Sequence, residues 1–484
     1  MKYSHDLIVI GGGAAGLTLT AGAAQTGVKV VLIEKEHMGG DCLYYGCVPS
    51  KALLRSGKLI ENLHEINRFG LPQSGIDISA DAALLMSNIQ QVISNIAYHD
   101  SIERFTSLGA EVIFGRSRFI NNHELEIESV SGIQRISAPK ISISTGSSPL
   151  IIPVPGLEET GYLTNKTVFS ISKIPAELLV IGGGPIGVEM SYAFSNLGSA
   201  VTLLTNTDQL LPHEDPDMAR YAENALACSG VKLIFGAEIG QVLNAKGRKQ
   251  IKYTQNGSAH IQSGEEILVA TGRTGNISEL QLDNAGIEHN QRFIKTNSTL
   301  QTSRKNIMAI GDVNGNFLFT HVAGAEGGIA FRRQVLGLPA NMNYARVPWT
   351  TYTAPEIASI GLNEKRADKA GIAYRKIEAE FSENDRAQAE RETDGKIKIL
   401  TDKKERVIGV QIAGPHAGEL LSPGIFAVNE GWKLSKLYSP MLPYPTLTEI
   451  YKKAIGEYMS PKLFNPGVRK FLKIFKGYRG TGPV

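Results

Sequence analysis

Two glycine-rich stretches, each at the end of a β-branched apolar run, constrain this chain more than any other feature. In the first, Leu7-Ile8-Val9-Ile10 leads into Gly11-Gly12-Gly13-Ala14-Ala15-Gly16, then an Ala/Leu-rich segment to about residue 25. A wholly apolar run of this length suits a central parallel strand covered on both faces. Gly11, Gly13 and Gly16 fit G-x-G-x-x-G. The first permits a tight turn, the second lets backbone N–H groups approach a pyrophosphate, and the third lets the helix pack on the strand with its N-terminus toward the anion. A second apolar run over residues 28–33 ends in Glu34, close to the spacing at which a carboxylate accepts from a ribose hydroxyl. Strand, turn, helix, strand and acid together predict a dinucleotide site.

The pattern recurs. Leu178-Leu179-Val180-Ile181 leads into Gly182-Gly183-Gly184-Pro185-Ile186-Gly187, a helical segment over 188–197 and a strand over 200–204. That strand runs into Thr205-Asn206-Thr207-Asp208, with no acid at the ribose position and no arginine for a 2′-phosphate. Gly182, Gly184 and Gly187 therefore predict a nicotinamide dinucleotide, NAD or NADP, with no choice between them. Two cradles imply two cofactors, a fixed flavin and an exchangeable hydride carrier.

At 484 residues the chain exceeds one compact domain. A net charge of +3 excludes nucleic-acid binding by bulk electrostatics. Three cysteines fit a reducing compartment better than a disulfide scaffold. No apolar run approaches the ~20 residues that span a bilayer, and the run at the N-terminus is too short for a signal-peptide core. A cytoplasmic enzyme is expected.

Cys42 and Cys47 lie in GGDCLYYGCVPSK. Alone, such a pair reads as a static disulfide, half of a zinc site, or a redox couple. The cysteine count argues against the first. The lack of a second pair argues against zinc, since Cys228 stands alone, and no metal site is expected. Cys228 is expected to pack within a helix, as free cysteines commonly do.

With these residues in hand, the chain resembles the flavoprotein disulfide reductases, the family of dihydrolipoamide dehydrogenase, glutathione reductase and mercuric reductase. GGDCLYYGCVPSK is similar to that family's redox motif, with Asp41 where threonine is usual. Ser144-Thr145-Gly146 and Ala270-Thr271-Gly272-Arg273 match the turns that close its nucleotide domains, which adds Thr145, Gly146, Gly272 and Arg273 to the cofactor-binding set. Ala309-Ile310-Gly311-Asp312-Val313 matches the second flavin motif, with Gly311 at the turn and Asp312 on the ribityl chain. Thr353-Ala354-Pro355-Glu356-Ile357-Ala358 resembles the opening of the interface domain.

The resemblance implies an α/β fold: two Rossmann-like domains for FAD and NAD(P) plus a C-terminal α+β dimerisation domain. The expected segments are 1–150 and 273–345 for FAD, 151–272 for NAD(P), and 346–484 for the interface of a homodimer. It raises the redox reading of the cysteines above the other two. Electrons would pass from NAD(P)H through FAD to a Cys42–Cys47 disulfide. Cys47 would lie against the flavin. Cys42 would face outward and attack the substrate; since a thiolate is the reactive form, the surroundings must lower a thiol pKa from about 8.5. Lys51 would pair with Glu189 of the second cradle helix, since a buried charge needs a partner.

One departure limits the reading. Pro443-Tyr444-Pro445-Thr446-Leu447-Thr448-Glu449 keeps the family's Glu as Glu449 but has Tyr444 in place of the proton-handling His. Histidine titrates near neutrality and tyrosine near pH 10, so turnover of a disulfide substrate should be impaired. His321 is read as structural packing. Mercuric reductase also carries a tyrosine here, but no cysteine follows Cys228 to hand over metal, and Lys2 stands almost against the first strand, where many mercuric reductases carry a leading metal-binding domain. The expected acceptor is therefore non-standard: a metal ion such as Hg(II), or another small molecule, an electrophile or quinone. The rivals are a dihydrolipoamide dehydrogenase with another proton route and a redox-sensing dithiol protein with little turnover.

After Glu457 no acid occurs, while Lys462, Arg469, Lys470, Lys473, Lys476 and Arg479 are basic. Asn465-Pro466 would open a helix, Gly477 would end it, and Val468, Phe471, Leu472 and Phe475 form one apolar stripe. This segment, 462–479, is expected either to pack on its own domain or partner, or to lie on an anionic membrane.

Overall fold

The apolar run Leu7–Ile10 is the middle strand of a five-stranded parallel sheet, in the order Ile307–Ala309, Lys140–Ile143, Leu7–Ile10, Val30–Glu34, Glu111–Phe114. It belongs to a computed structural model that describes residues 2–72 and 80–476. The two faces of the strand explain why no polar residue interrupts it. Leu7 and Val9 pack with Leu17, Leu19, Ala23 and Ala323 of the helices Ala14–Gln25 and Thr320–Ala330. Ile8 and Ile10 pack with Phe119, Leu125 and Ile127 of an antiparallel sheet, Arg116–Phe119, Glu124–Ser129 and Gly132–Ser137. Full burial on both faces leaves no place for alternation. The strand Ile307–Ala309 comes from far along the chain and closes one edge of this sheet.

The second cradle sits on a four-stranded parallel sheet ordered Lys232–Ile234, Ala200–Leu204, Glu177–Ile181, Glu266–Val269. Its helix, Pro185–Asn196, is buried along most of its length. The helix that begins at the second cysteine, Cys47–His64, packs directly on it: a Cβ on Gly57 would lie 3.2 Å from the Ala193 carbonyl oxygen. Tyr192 Oη donates to Glu61 Oε2 at 2.7 Å across the same contact. Two nucleotide-binding-type sheets and the cysteine helix thus belong to one compact unit, formed by the chain up to Leu210 and by Leu226–Tyr344.

The other unit holds Leu211–Ala225 and the chain from Ala345 onward. Its five-stranded antiparallel sheet runs Pro348–Thr351, Glu356–Gly361, Val407–Gly414, Lys396–Thr401, Arg375–Glu380, covered by helices that include Ser422–Glu430 and Ile450–Leu463. The segment Leu211–Ala225 is tied in by buried acids. Glu214 accepts from Trp349 Nε1, Ser359 Oγ and Gln411 Nε2, and its burial raises its pKa. Lys398, fully buried, places Nζ 3.0 Å from Asp215, 2.8 Å from Asp217 and 2.7 Å from Glu364. A buried ammonium is tolerated only with such partners. These three carboxylates form a cluster of metal-ligand spacing, with the lysine cation among them.

One expectation is corrected here and another narrowed. Cys228 ends the helix Pro216–Cys228 but is exposed. The helix buries Met218, Ala219, Ala222, Ala225 and Leu226, and at 3.6 residues per turn position 228 points the other way. The basic C-terminal segment does form a helix, Pro466–Lys476, capped by Asn465 Oδ1 accepting from Val468 N at 3.0 Å. It buries no residue on its own chain, so its apolar stripe does not pack on its own domain. Gly477 and Arg479 lie outside the described residues. No helix among the described residues is long and apolar enough to cross a membrane.

Candidate active site

The first cradle is built by close approach. Gly11 has φ +105°, and a Cβ there would sit 2.3 Å from the Ser144 carbonyl oxygen; a Cβ on Gly16 would sit 1.9 Å from the Gly11 carbonyl oxygen. No side chain fits either place. A Cβ on Gly13 would instead enter open space. Gly11, Gly12 and Gly13 line a cleft with Glu34, Thr145, Gly146, Ser147, Ser148 and Lys166. The Glu34 carboxylate accepts from Gly12 N at 2.6 Å, Lys35 N at 2.8 Å and Glu36 N at 2.7 Å. Thr145 Oγ1 donates to the Asn276 carbonyl at 2.8 Å, and Asn276 returns a bond to the Thr145 carbonyl. A helix N-terminus, a clash-walled glycine turn and an acid at the strand end fit the ADP portion of FAD.

The second cradle repeats this backbone. Gly182 has φ +122° with a Cβ position 2.3 Å from the Ala270 carbonyl oxygen, Gly187 would clash with Gly182 at 1.9 Å, and Gly184 is open. At the strand end stands Thr205, bonded to Thr207 Oγ1 at 2.8 Å. Gly272, φ +119°, closes the turn.

Between the cradles lie the cysteines. The structure holds Cys42 and Cys47 as free thiols, Cys42 half-buried and Cys47 exposed. The two thiols interact with one another. That interaction drives the two acidities apart. Cys47 falls to about 6, chiefly through its interaction with Cys42, helped by Thr320 and the Lys51 cation and opposed by partial desolvation and Glu189. Cys42 is pushed up by the same interaction and by burial. The lowered thiol is Cys47. The reason is direct: Cys47 Sγ faces Thr320 Oγ1 at 3.4 Å and heads its helix, where the N-terminal dipole also favours an anion. Lys51 Nζ lies 2.8 Å from Glu189 Oε2, and Glu189 is buried.

Arg273 and Asp312 meet a residue that sequence reasoning left unexplained. Arg273 Nη2 is 2.8 Å from Asp41 Oδ2, and its Nε donates to Ser147 Oγ at 2.7 Å. Ser147 Oγ donates to Asp312 Oδ2 at 2.6 Å. Asn165 Nδ2 holds the other Asp41 oxygen at 3.0 Å and the Tyr45 carbonyl at 3.0 Å. Burial raises Asp312. Behind it, buried Glu326 accepts from Gly311 N at 2.6 Å and Asn314 Nδ2 at 2.7 Å, and burial lifts it to about 6. Sequence reading missed Thr320, Ser147, Asn165 and Glu326. Thr320 adjoins the quoted His321, which is exposed and stacked on Phe319 at 5.4 Å rather than packed inside.

Tyr444 and Glu449 belong to the other unit. Tyr444 is exposed, its hydroxyl donating to Asp385 Oδ2 at 2.9 Å. That bond pushes the phenol above its usual range. Glu449 takes part in a capping box with Thr446.

Residues 5–327 match the family described as pyridine nucleotide-disulphide oxidoreductase, and residues 347–455 match its dimerisation domain. A mercuric reductase of Bacillus cereus is 34% identical over 94% of this chain and 71% of its own length. A dihydrolipoyl dehydrogenase of Bacillus subtilis (strain 168) is 32% identical over 93% of this chain and 97% of its own. Among solved structures, LpdA of Mycobacterium tuberculosis superposes with a TM-score of 0.86 at 26% identity, covering 94% of this chain and all of that one, 100%. A Cu(II) complex of the HOCl-induced flavoprotein disulfide reductase RclA of Escherichia coli gives 0.83 at 26% identity, covering 94% and 100%.

Proposed function

This chain belongs to the pyridine nucleotide-disulphide oxidoreductases, a flavoprotein disulfide oxidoreductase of the mercuric reductase and lipoamide dehydrogenase type, and from that premise we propose that it passes electrons from NAD(P)H through FAD and the Cys42–Cys47 pair to a soft metal ion or a small electrophile. Bound FAD would supply the two-electron link between nicotinamide hydride and sulfur. The remaining chemistry falls to this chain's own groups. Gly11, Gly13, Gly16 and Glu34 would hold the ADP end, Arg273 and Asp312 the ribityl side, and Gly182, Gly184 and Gly187 the nicotinamide dinucleotide.

The observation that carries the reading is Tyr444, an exposed phenol bonded to Asp385 where a disulfide-reducing member carries a proton-handling histidine. Reduction of the disulfide takes up two electrons, leaving Cys47 as thiolate and the proton on Cys42. A disulfide substrate needs that proton managed: Cys42 must lose it to attack, and the departing sulfur must gain one. A phenol held above pH 10 by Asp385 does this poorly at neutral pH, where general acid–base help is worth roughly 10²–10⁴-fold. A soft cation displaces the proton from Cys42 itself, binds both sulfurs, accepts two electrons and leaves as the reduced metal while the disulfide re-forms. The names of the mercuric reductase relatives and of the Cu(II)-bound neighbour support a metal acceptor. The dimerisation domain supports a homodimer in which Tyr444 and Glu449 of a second copy approach Cys42.

The test is anaerobic titration of the flavin with NADH and with NADPH, followed by acceptors. Two hydride equivalents per flavin, alkylation of both cysteines afterwards, and turnover with Hg(II) or quinones well above that with lipoamide are expected. One equivalent per flavin, or fast lipoamide turnover, overturns the proposal.

A further inference from the structure

The helix Pro466–Lys476 has two faces with nothing in common. Val468, Phe471, Leu472, Ile474 and Phe475 occupy one arc, and Arg469, Lys470, Lys473 and Lys476 the other. On an ideal helix the two sets do not interleave. None of its residues is buried; Phe471 is 52% exposed, Ile474 62% and Phe475 70%. Leu463 and Phe464, just before it, are 53% and 69% exposed. The match to the dimerisation domain ends at residue 455, so this apolar face lies beyond the matched domain.

We propose that this helix is a docking surface for an anionic lipid bilayer. The charge pattern selects that occupant. A helix docked in a protein groove turns its polar face to water, where mixed signs serve best. Here every charge from Lys462 to Lys476 is positive and the last acid is Glu457. A bilayer surface satisfies both faces together: phenylalanine and aliphatic side chains enter the headgroup–acyl boundary, and the lysines reach anionic phosphates. Eleven residues extend roughly 16 Å, about half the hydrocarbon thickness, so the helix lies in the interface and does not span it. Membrane docking by this helix does not depend on which acceptor the cysteine pair reduces.

The experiment is flotation of the full-length FAD-loaded protein with vesicles of phosphatidylcholine containing phosphatidylglycerol, against phosphatidylcholine alone. Two double variants accompany it, Lys470→Glu with Lys473→Glu, and Phe471→Ser with Phe475→Ser. All four positions are exposed and outside the matched domains, so flavin content and light scattering should match the unaltered protein. Binding to the anionic vesicles, a fall of about tenfold or more in partition for each double variant, and loss in high salt for the unaltered chain are expected. Equal flotation with neutral vesicles, no flotation at all, or unchanged flotation in both variants overturns the proposal. So does dissociation of the phenylalanine variant into monomers, which would assign the face to a second copy.

Discussion

The two cradles share a backbone and differ at one side chain. Gly11, Gly12, Gly13 and Gly16 correspond to Gly182, Gly183, Gly184 and Gly187, with the same open and closed Cβ positions. Gly11 N bonds the Ile33 carbonyl at 2.7 Å, and Gly182 N bonds the Leu204 carbonyl at 2.8 Å. At the next position one has Glu34, the other Thr205. The turn is steric and must be glycine in both; the strand end is chemical and is free to differ. A carboxylate gripping three backbone N–H groups suits a cofactor that stays. A neutral hydroxyl pair suits one that comes and goes, and it rejects a 2′-phosphate less than an acid would.

Matched substitutions break this comparison most forcefully. Gly11→Ala and Gly182→Ala each force a β-carbon onto a carbonyl oxygen at a φ that only glycine holds well, at a cost of about 3 kcal/mol or more. Gly11→Ala should purify with little flavin by absorbance. Gly182→Ala should stay yellow and lose nicotinamide affinity by stopped-flow titration. Next come the strand ends. Glu34→Gln should weaken FAD binding by roughly 10–100-fold in an apoprotein titration, the effect of losing a charged acceptor. Thr205→Glu should move selectivity toward NADH by about tenfold in kcat/KM.

The link between the cradles gives a smaller and signed effect. Cys47 titrates near 6, so iodoacetamide alkylation of the reduced protein should slow as pH falls through that value, about tenfold per unit below it. Lys51 lowers that acidity and Glu189 raises it. Lys51→Met should shift the midpoint up and Glu189→Gln down; movement in the same direction would refute the assignment. Smallest of all, Asp41→Thr should free Arg273 from one partner and cost about 1 kcal/mol, read as faster flavin release.

What was legible in the sequence is what a backbone demands locally. Glycines that must be glycine, apolar runs with no polar break, and Asn465-Pro466 at a helix start all announce themselves within a few residues. The site's wiring does not. Asp41 meets Arg273, and Cys47 meets Thr320, only because the sheet order brings distant turns to one edge. The proton distribution over the cysteines depends on which sulfur accepts from the other, and spacing says nothing about that. The burial expected for Cys228 and His321 failed for a related cause: residue type gives an average, while the side of the helix decides the case.

The segment Leu211–Ala225 carries a practical lesson for anyone dividing this protein. It leaves one unit, contributes Glu214, Asp215 and Asp217 to the other, and returns. A truncation at residue 344 therefore yields no self-sufficient fragment. It strips Trp349, Ser359 and Lys398 from carboxyl groups selected for life away from water, and the amputated loop would carry its acids bare. Working pieces need an internal excision as well as a new end.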